Sequence, residues 1–261
     1  MIDMHKKAYA TLLLTLVSLF IVQIPYLTVW IYGVSFPYDA MTDFSPWYIY
    51  LIEKLRHCEQ VFSIRQDFLG GYPFLSYFYE NPVRFLSAYI LPNTFSSIAY
   101  VQAFHVALTF LLFSYLLRTF RLPWLVSLTG GIIFVMSGIN VSLSQHVHSH
   151  EILAYFVTIL ILIRLYILQF DELSFFKKII YLASLMCVAT ALARWPHEAV
   201  TYLVPIVLWV LLQLYLRMGA GELKGKKGLF LSLLLLGVLT AIACVPQLLY
   251  FLEMSEFNKT T

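Results

Sequence analysis

The chain has 261 residues, 61% of them hydrophobic and only 12% charged, about half the ~25% charged residues of a soluble domain. So many apolar side chains cannot be hidden in one globular core, so lipid must be part of the solvent and the fold class is an all-α, polytopic transmembrane bundle. A net charge of +3 is too small to indicate nucleic acid as a partner, and three cysteines (Cys58, Cys187 and Cys244) form no disulfide framework.

His5, Lys6 and Lys7 directly precede the first apolar run, from about Tyr9 to Tyr32. The run is longer than the core of a signal peptide and has no small-residue cleavage site, so it reads as an uncleaved spanning helix. Tyr26, Trp30 and Tyr32 suit the aromatic belt at its far end. From Gly33 to roughly Asn93 comes the only long segment too polar for hydrocarbon, holding six of the fourteen acidic residues. Two of these, Asp39 and Asp43, follow the first run closely and are expected near the far membrane surface.

Two short helices are expected inside this interval. Ser45 is a suitable N-cap with Pro46 in the first helical position, and Trp47, Leu51, Ile52 and Leu55 recur at helical spacing, as in a helix lying in the interface. A second start is Asn81-Pro82, with Phe85, Leu86, Tyr89 and Ile90 on one stripe before Pro92. Between them, Gly70-Gly71-Tyr72-Pro73 reads as a turn.

Six further apolar runs follow, roughly Ser96–Leu117, Trp124–Ile139, Glu151–Gln169, Lys178–Ala193, Ala199–Leu216 and Leu229–Phe251. Most approach the ~20 residues that cross hydrocarbon; the second and fourth of them need flanking residues or a thinned membrane. About seven spans in a single membrane domain over residues 1–261 are expected, with six as the alternative. Loop charge orients them. Lys6 and Lys7, Arg118 and Arg121, Lys177 and Lys178, and Arg217 with Lys224, Lys226 and Lys227 fall on one side, which the positive-inside rule makes cytoplasmic. The N-terminus is then cytoplasmic, and the C-terminus and the 33–93 loop are extracytoplasmic.

Asp39 and Asp43 admit two readings: a helix cap and a turn residue, or a chemical pair. A sugar hydroxyl is a poor nucleophile until a base takes its proton, and a carboxylate at the interface can do so. Together the two could instead hold a divalent cation against a phosphate. The stretch Ser144–Glu151 places His146, His148, His150 and Glu151 at the same surface, as transition-metal ligands, as contacts to a donor phosphate, or as a polar interfacial loop. Arg194, between the fifth and sixth spans, is either a bidentate phosphate clamp or an anchor beside Trp195. Deeper in the fourth span, Arg164 is a functional charge or a snorkelling one, and His105 reads as a hydrogen-bonded packing residue. Lys224, Lys226 and Lys227 are a topology signal or attract anionic lipid.

An aspartate soon after the first span, an interfacial helix and then GGYPFLSYFYENPVRFL resemble bacterial GT-C-type membrane glycosyltransferases, most nearly the YfhO-like and 6-pyruvoyl-tetrahydropterin-synthase-related membrane proteins. The matching positions are Gly71, Tyr72, Pro73, Phe78, Tyr79 and Pro82. This resemblance implies a helical module whose first seven spans carry an active site outside the cytoplasm of a bacterial inner or plasma membrane. It implies a polyprenyl-phosphate-linked sugar as donor and Asp43 or Asp39 as base or metal ligand; Tyr72 and Tyr79 of the matching stretch are expected at the substrate, as are Arg194 and the histidine stretch because they fall on the same side. The chain is shorter than such relatives, which leaves two alternatives: a truncated or non-catalytic module working with a partner chain, and a transporter or flippase of a lipid-linked precursor. A transporter should carry ionisable or unwound segments at mid-membrane, whereas the polar residues here concentrate at one surface.

Overall fold

A computed structural model describes residues 2–32, 90, 94–137, 149–192, 196–219 and 227–260. Every element among them is helical: α1 (Ile2–Gln23), a 3-10 turn (Ile24–Tyr26), α2 (Leu27–Tyr32), α3 (Thr94–Thr119), α4 (Trp124–Val135), α5 (Ser149–Gln169), α6 (Phe175–Leu192), α7 (Pro196–Gly219) and α8 (Lys227–Thr260). Four stretches, Ala8–Tyr26, Tyr100–Thr119, Glu151–Gln169 and Phe175–Leu192, are long and apolar enough to cross a membrane; those in α4, α7 and α8 are shorter. Leu12, Leu13 and Phe20 on α1 and Leu203, Leu208 and Leu211 on α7 are exposed, a surface that hydrocarbon and not water would cover. The helices expected at Pro46 and Pro82 lie outside the described residues. The chain divides into two compact units, Met1–Ala154 and Tyr155–Thr261.

In the first unit the apolar run from Tyr9 to Tyr32 is not one helix. Pro25 has no N–H to donate and its ring crowds the preceding turn, so the chain tightens into the 3-10 turn before α2 resumes. Val22, Ala103, Val106, Phe110 and Leu128 form the shared core of α1, α3 and α4. Directions follow from pairs of contacts. The Gln23 amide donates to the Ala103 carbonyl at 3.1 Å and Trp30 lies 5.3 Å from the Tyr100 ring, so α3 runs antiparallel to α1. Phe113 stacks on Phe134 at 4.0 Å while Arg118 lies over the Trp124 ring, so α4 turns back along α3. The connecting turn uses a left-handed Arg121 (φ 63°), and the Arg118 guanidinium closes it by donating to the Leu122 carbonyl.

Between helices in lipid the hydrophobic effect supplies no drive, so close packing must hold α3 to α4. Two glycines provide it. A Cβ added at Gly131 would collide with Ser114 Oγ and sit 3.0 Å from the Phe110 ring, whereas at Gly130 it would meet only the flexible end of Leu117. Gly131→Ala is therefore expected to cost about 1–3 kcal/mol, the usual range for overpacking. Gly130→Ala should cost less, and Ser114→Ala should restore part of the Gly131→Ala loss. Gly237, which has open space around its added Cβ, is the control. Detergent-titrated unfolding of the four variants reads this order, and equal losses at Gly131 and Gly237 would refute the packing account.

The second unit is ordered by α5 and α7. Phe156 meets Tyr202 with ring centroids 5.0 Å apart. Further along, Trp209 Nε1 donates to the Leu160 carbonyl at 3.0 Å, and Arg164 Nη1 donates to Gln213 Oε1 at 2.6 Å. Beyond these, Arg217 pairs with Asp171 at 2.9 Å. Residue numbers rise together on both helices, so α5 and α7 are parallel and α6 must return between their ends. At that return, Tyr181 of α6 donates to Gln169 Oε1 at 3.3 Å and Lys178 Nζ lies 3.9 Å from the Phe170 ring. Gly228, at the start of α8, also faces Phe170. The four helices thus alternate in direction, and one end of the unit gathers Lys177, Lys178, Arg217 and Lys227. Ser174 caps α6 by accepting from the Lys177 N–H at 3.4 Å.

Candidate functional site

The interval 33–93, which carries the two aspartates singled out above, leaves and rejoins the first unit at one end. Its base is built by a relay across the Pro25 break. Trp30 Nε1 donates to Gln23 Oε1 at 2.8 Å, and the Gln23 amide donates to the Ala103 carbonyl. One amide side chain thereby ties α2 to α1 and both to α3, and the Trp30–Tyr100 ring contact closes the stem. This end lies opposite the turn bearing Arg118 and Arg121. Asp39 and Asp43 follow Tyr32 by seven and eleven residues.

Of the residues expected to carry chemistry, Asp39, Asp43, Tyr72, Tyr79, His146, His148 and Arg194 lie outside the described residues. His150 and Glu151 stand in the first turn of α5. There Glu151 is only 1% exposed. Among the described residues no three His, Cys, Asp or Glu side chains come together as a metal-holding group; a cation held by Asp39 and Asp43 would draw on residues outside that set. The buried His105 has its Nδ1 2.7 Å from the Val101 carbonyl, one helical turn earlier, the local bond of a packing residue.

A second polar cluster was only half legible in the sequence. Arg164 is 8% exposed, and its guanidinium donates to Gln213, itself 3% exposed. Gln213 and Asp171 carry no motif. What marks them is the parallel pairing of α5 and α7, which no local pattern announces. Comparison with protein-family models, with curated proteins and with solved structures finds no match. The chemistry must therefore be argued from the chain's own residues.

Proposed function

We propose that the protein is an integral membrane glycosyltransferase of the GT-C type, with seven crossings, that moves a sugar from a polyprenyl-phosphate donor on the extracytoplasmic side. In this reading α1 and α3 to α8 are the crossings, and α4, at 12 residues or about 18 Å, crosses a locally thinned bilayer. The single observation that carries the reading is the stem of the 33–93 interval. It opens at the end of the first unit opposite the basic turn, and that is the end from which the segment carrying Asp39 and Asp43 departs. Asp43, with Asp39 beside it, takes the proton of the acceptor hydroxyl or holds a divalent cation on the phosphate. In this reading His146, His148, His150 and Glu151, and separately Arg194, bind the substrate, with Tyr72 and Tyr79 at the sugar.

The orientation has its own expected result. A membrane-impermeant thiol reagent applied to intact cells labels Cys58, while Cys187, exposed on the α6 surface and so facing lipid, and Cys244 stay protected. Labelling of Cys58 only after permeabilisation would reverse the orientation and remove the site from the outer surface. The activity is tested in membranes holding the full chain, supplied with a polyprenyl-phosphate sugar and scored for sugar leaving the lipid. Donor crossing the bilayer with its sugar still attached would replace transfer by transport.

A further inference from the structure

At the end of the second unit where α5 and α7 finish and α6 and α8 begin, charge accumulates that the proposed transfer does not use. Among the described residues there, Arg164, Lys177, Lys178, Arg217 and Lys227 face two carboxylates, Asp171 and Glu172. That excess of three positive charges equals the formal net charge of the entire chain. Arg217 is 7% exposed, yet the carboxylate it pairs with, Asp171, is half-exposed. Arg164 donates to Gln213, which stands four residues before Arg217 on α7, about 6 Å deeper. Beside the charges, Phe175, Phe176, Tyr215 and Leu216 present exposed apolar surface.

We propose that this end of the second unit is a seat for an anionic phospholipid, its phosphate held by Arg217 and Lys178 with Arg164 as a fixed positive charge beneath. A guanidinium offers a planar pair of donors that matches two phosphate oxygens. The Lys178 ammonium rests on the Phe170 ring, where the aromatic face holds a cation without neutralising it. A ligand that joins one phosphate anion to two acyl chains fits both halves of the site, the charged rim and the apolar flank. The seat also lies on the side that the basic loops assign to the anionic leaflet. It uses no residue of the transfer site, and it stands whether or not the chain moves a sugar.

The test is lipid retention by the full chain, extracted from vesicles of equal phosphatidylglycerol and phosphatidylcholine and weighed intact by native mass spectrometry. Wild type is expected to keep phosphatidylglycerol in preference. Arg217→Gln and Lys178→Gln should each lower its retention about tenfold, the worth of one charge-assisted hydrogen bond. Asp171→Asn, which removes a competing carboxylate and leaves both guanidinium groups, should raise it. An Arg217–Asp171 pair that only clamps helices predicts instead that Arg217→Gln and Asp171→Asn fall together, and that result would overturn the seat. So would unchanged retention in Lys178→Gln, a variant that breaks no ion pair shown here. Displacement of the lipid by added inorganic phosphate would assign the groups to a soluble phosphate and equally reject the proposal.

Discussion

Asp43→Asn is expected to lower sugar transfer by about 10²–10⁴-fold, the range for loss of a general base, with Asp39→Asn next in effect. The amide keeps the shape of the side chain and removes its charge and basicity. A helix cap survives that exchange, because asparagine caps as well as aspartate. A base or a cation ligand does not. The comparison therefore separates the two roles that these residues admit before Pro46. The assay is transfer from a polyprenyl-phosphate donor in membranes, normalised to the amount of protein. Wild-type turnover in both variants would remove the aspartates from the chemistry. Should a cation be involved, a chelator would abolish wild-type transfer and leave the residual rate of Asp43→Asn unchanged.

The second large effect is on stability. Gln213→Leu removes the acceptor of a buried guanidinium and leaves Arg164 facing an apolar side chain. Hydrogen bonds to charged groups contribute about 1.5–3 kcal/mol, and this one joins two buried side chains. A loss of about 2 kcal/mol is expected in detergent-titrated unfolding. Arg164→Leu alone leaves only a neutral amide behind and should cost less. The double variant Arg164→Leu with Gln213→Leu should be more stable than Gln213→Leu by itself, because replacing a buried polar pair with apolar groups avoids the desolvation that breaking it exposes. Strict additivity of the two changes would mean the pair does not interact in the membrane.

The helices were legible because their signal is local. All seven apolar runs are helical over most of their length, with boundaries a few residues from those expected. The break at Pro25 was missed because the hydropathy of Tyr9–Tyr32 continues through it, and apolar character alone does not register a lost backbone donor. The two parts of the polar architecture fared differently. Arg164 stands out in any reading, since a charge within an apolar run is costly wherever it points. Its partner does not, because Gln213 becomes special only when α5 and α7 are known to be parallel neighbours. The stem under the 33–93 interval shows the same asymmetry. Trp30 suggests a membrane interface by itself, but its bond to Gln23 across the proline break depends on a backbone path that composition does not encode.

The parallel α5–α7 pair has a consequence for how the chain is made. Arg164 and Gln213 are 49 residues apart in sequence, and synthesis proceeds at roughly 5–20 residues per second. For several seconds, then, α5 exists without the helix that accepts its guanidinium. During that time α6 is the following helix that has been made. Assembly of the second unit is thus ordered in time: the bond between Arg164 and Gln213 forms only after α7 has emerged to meet α5.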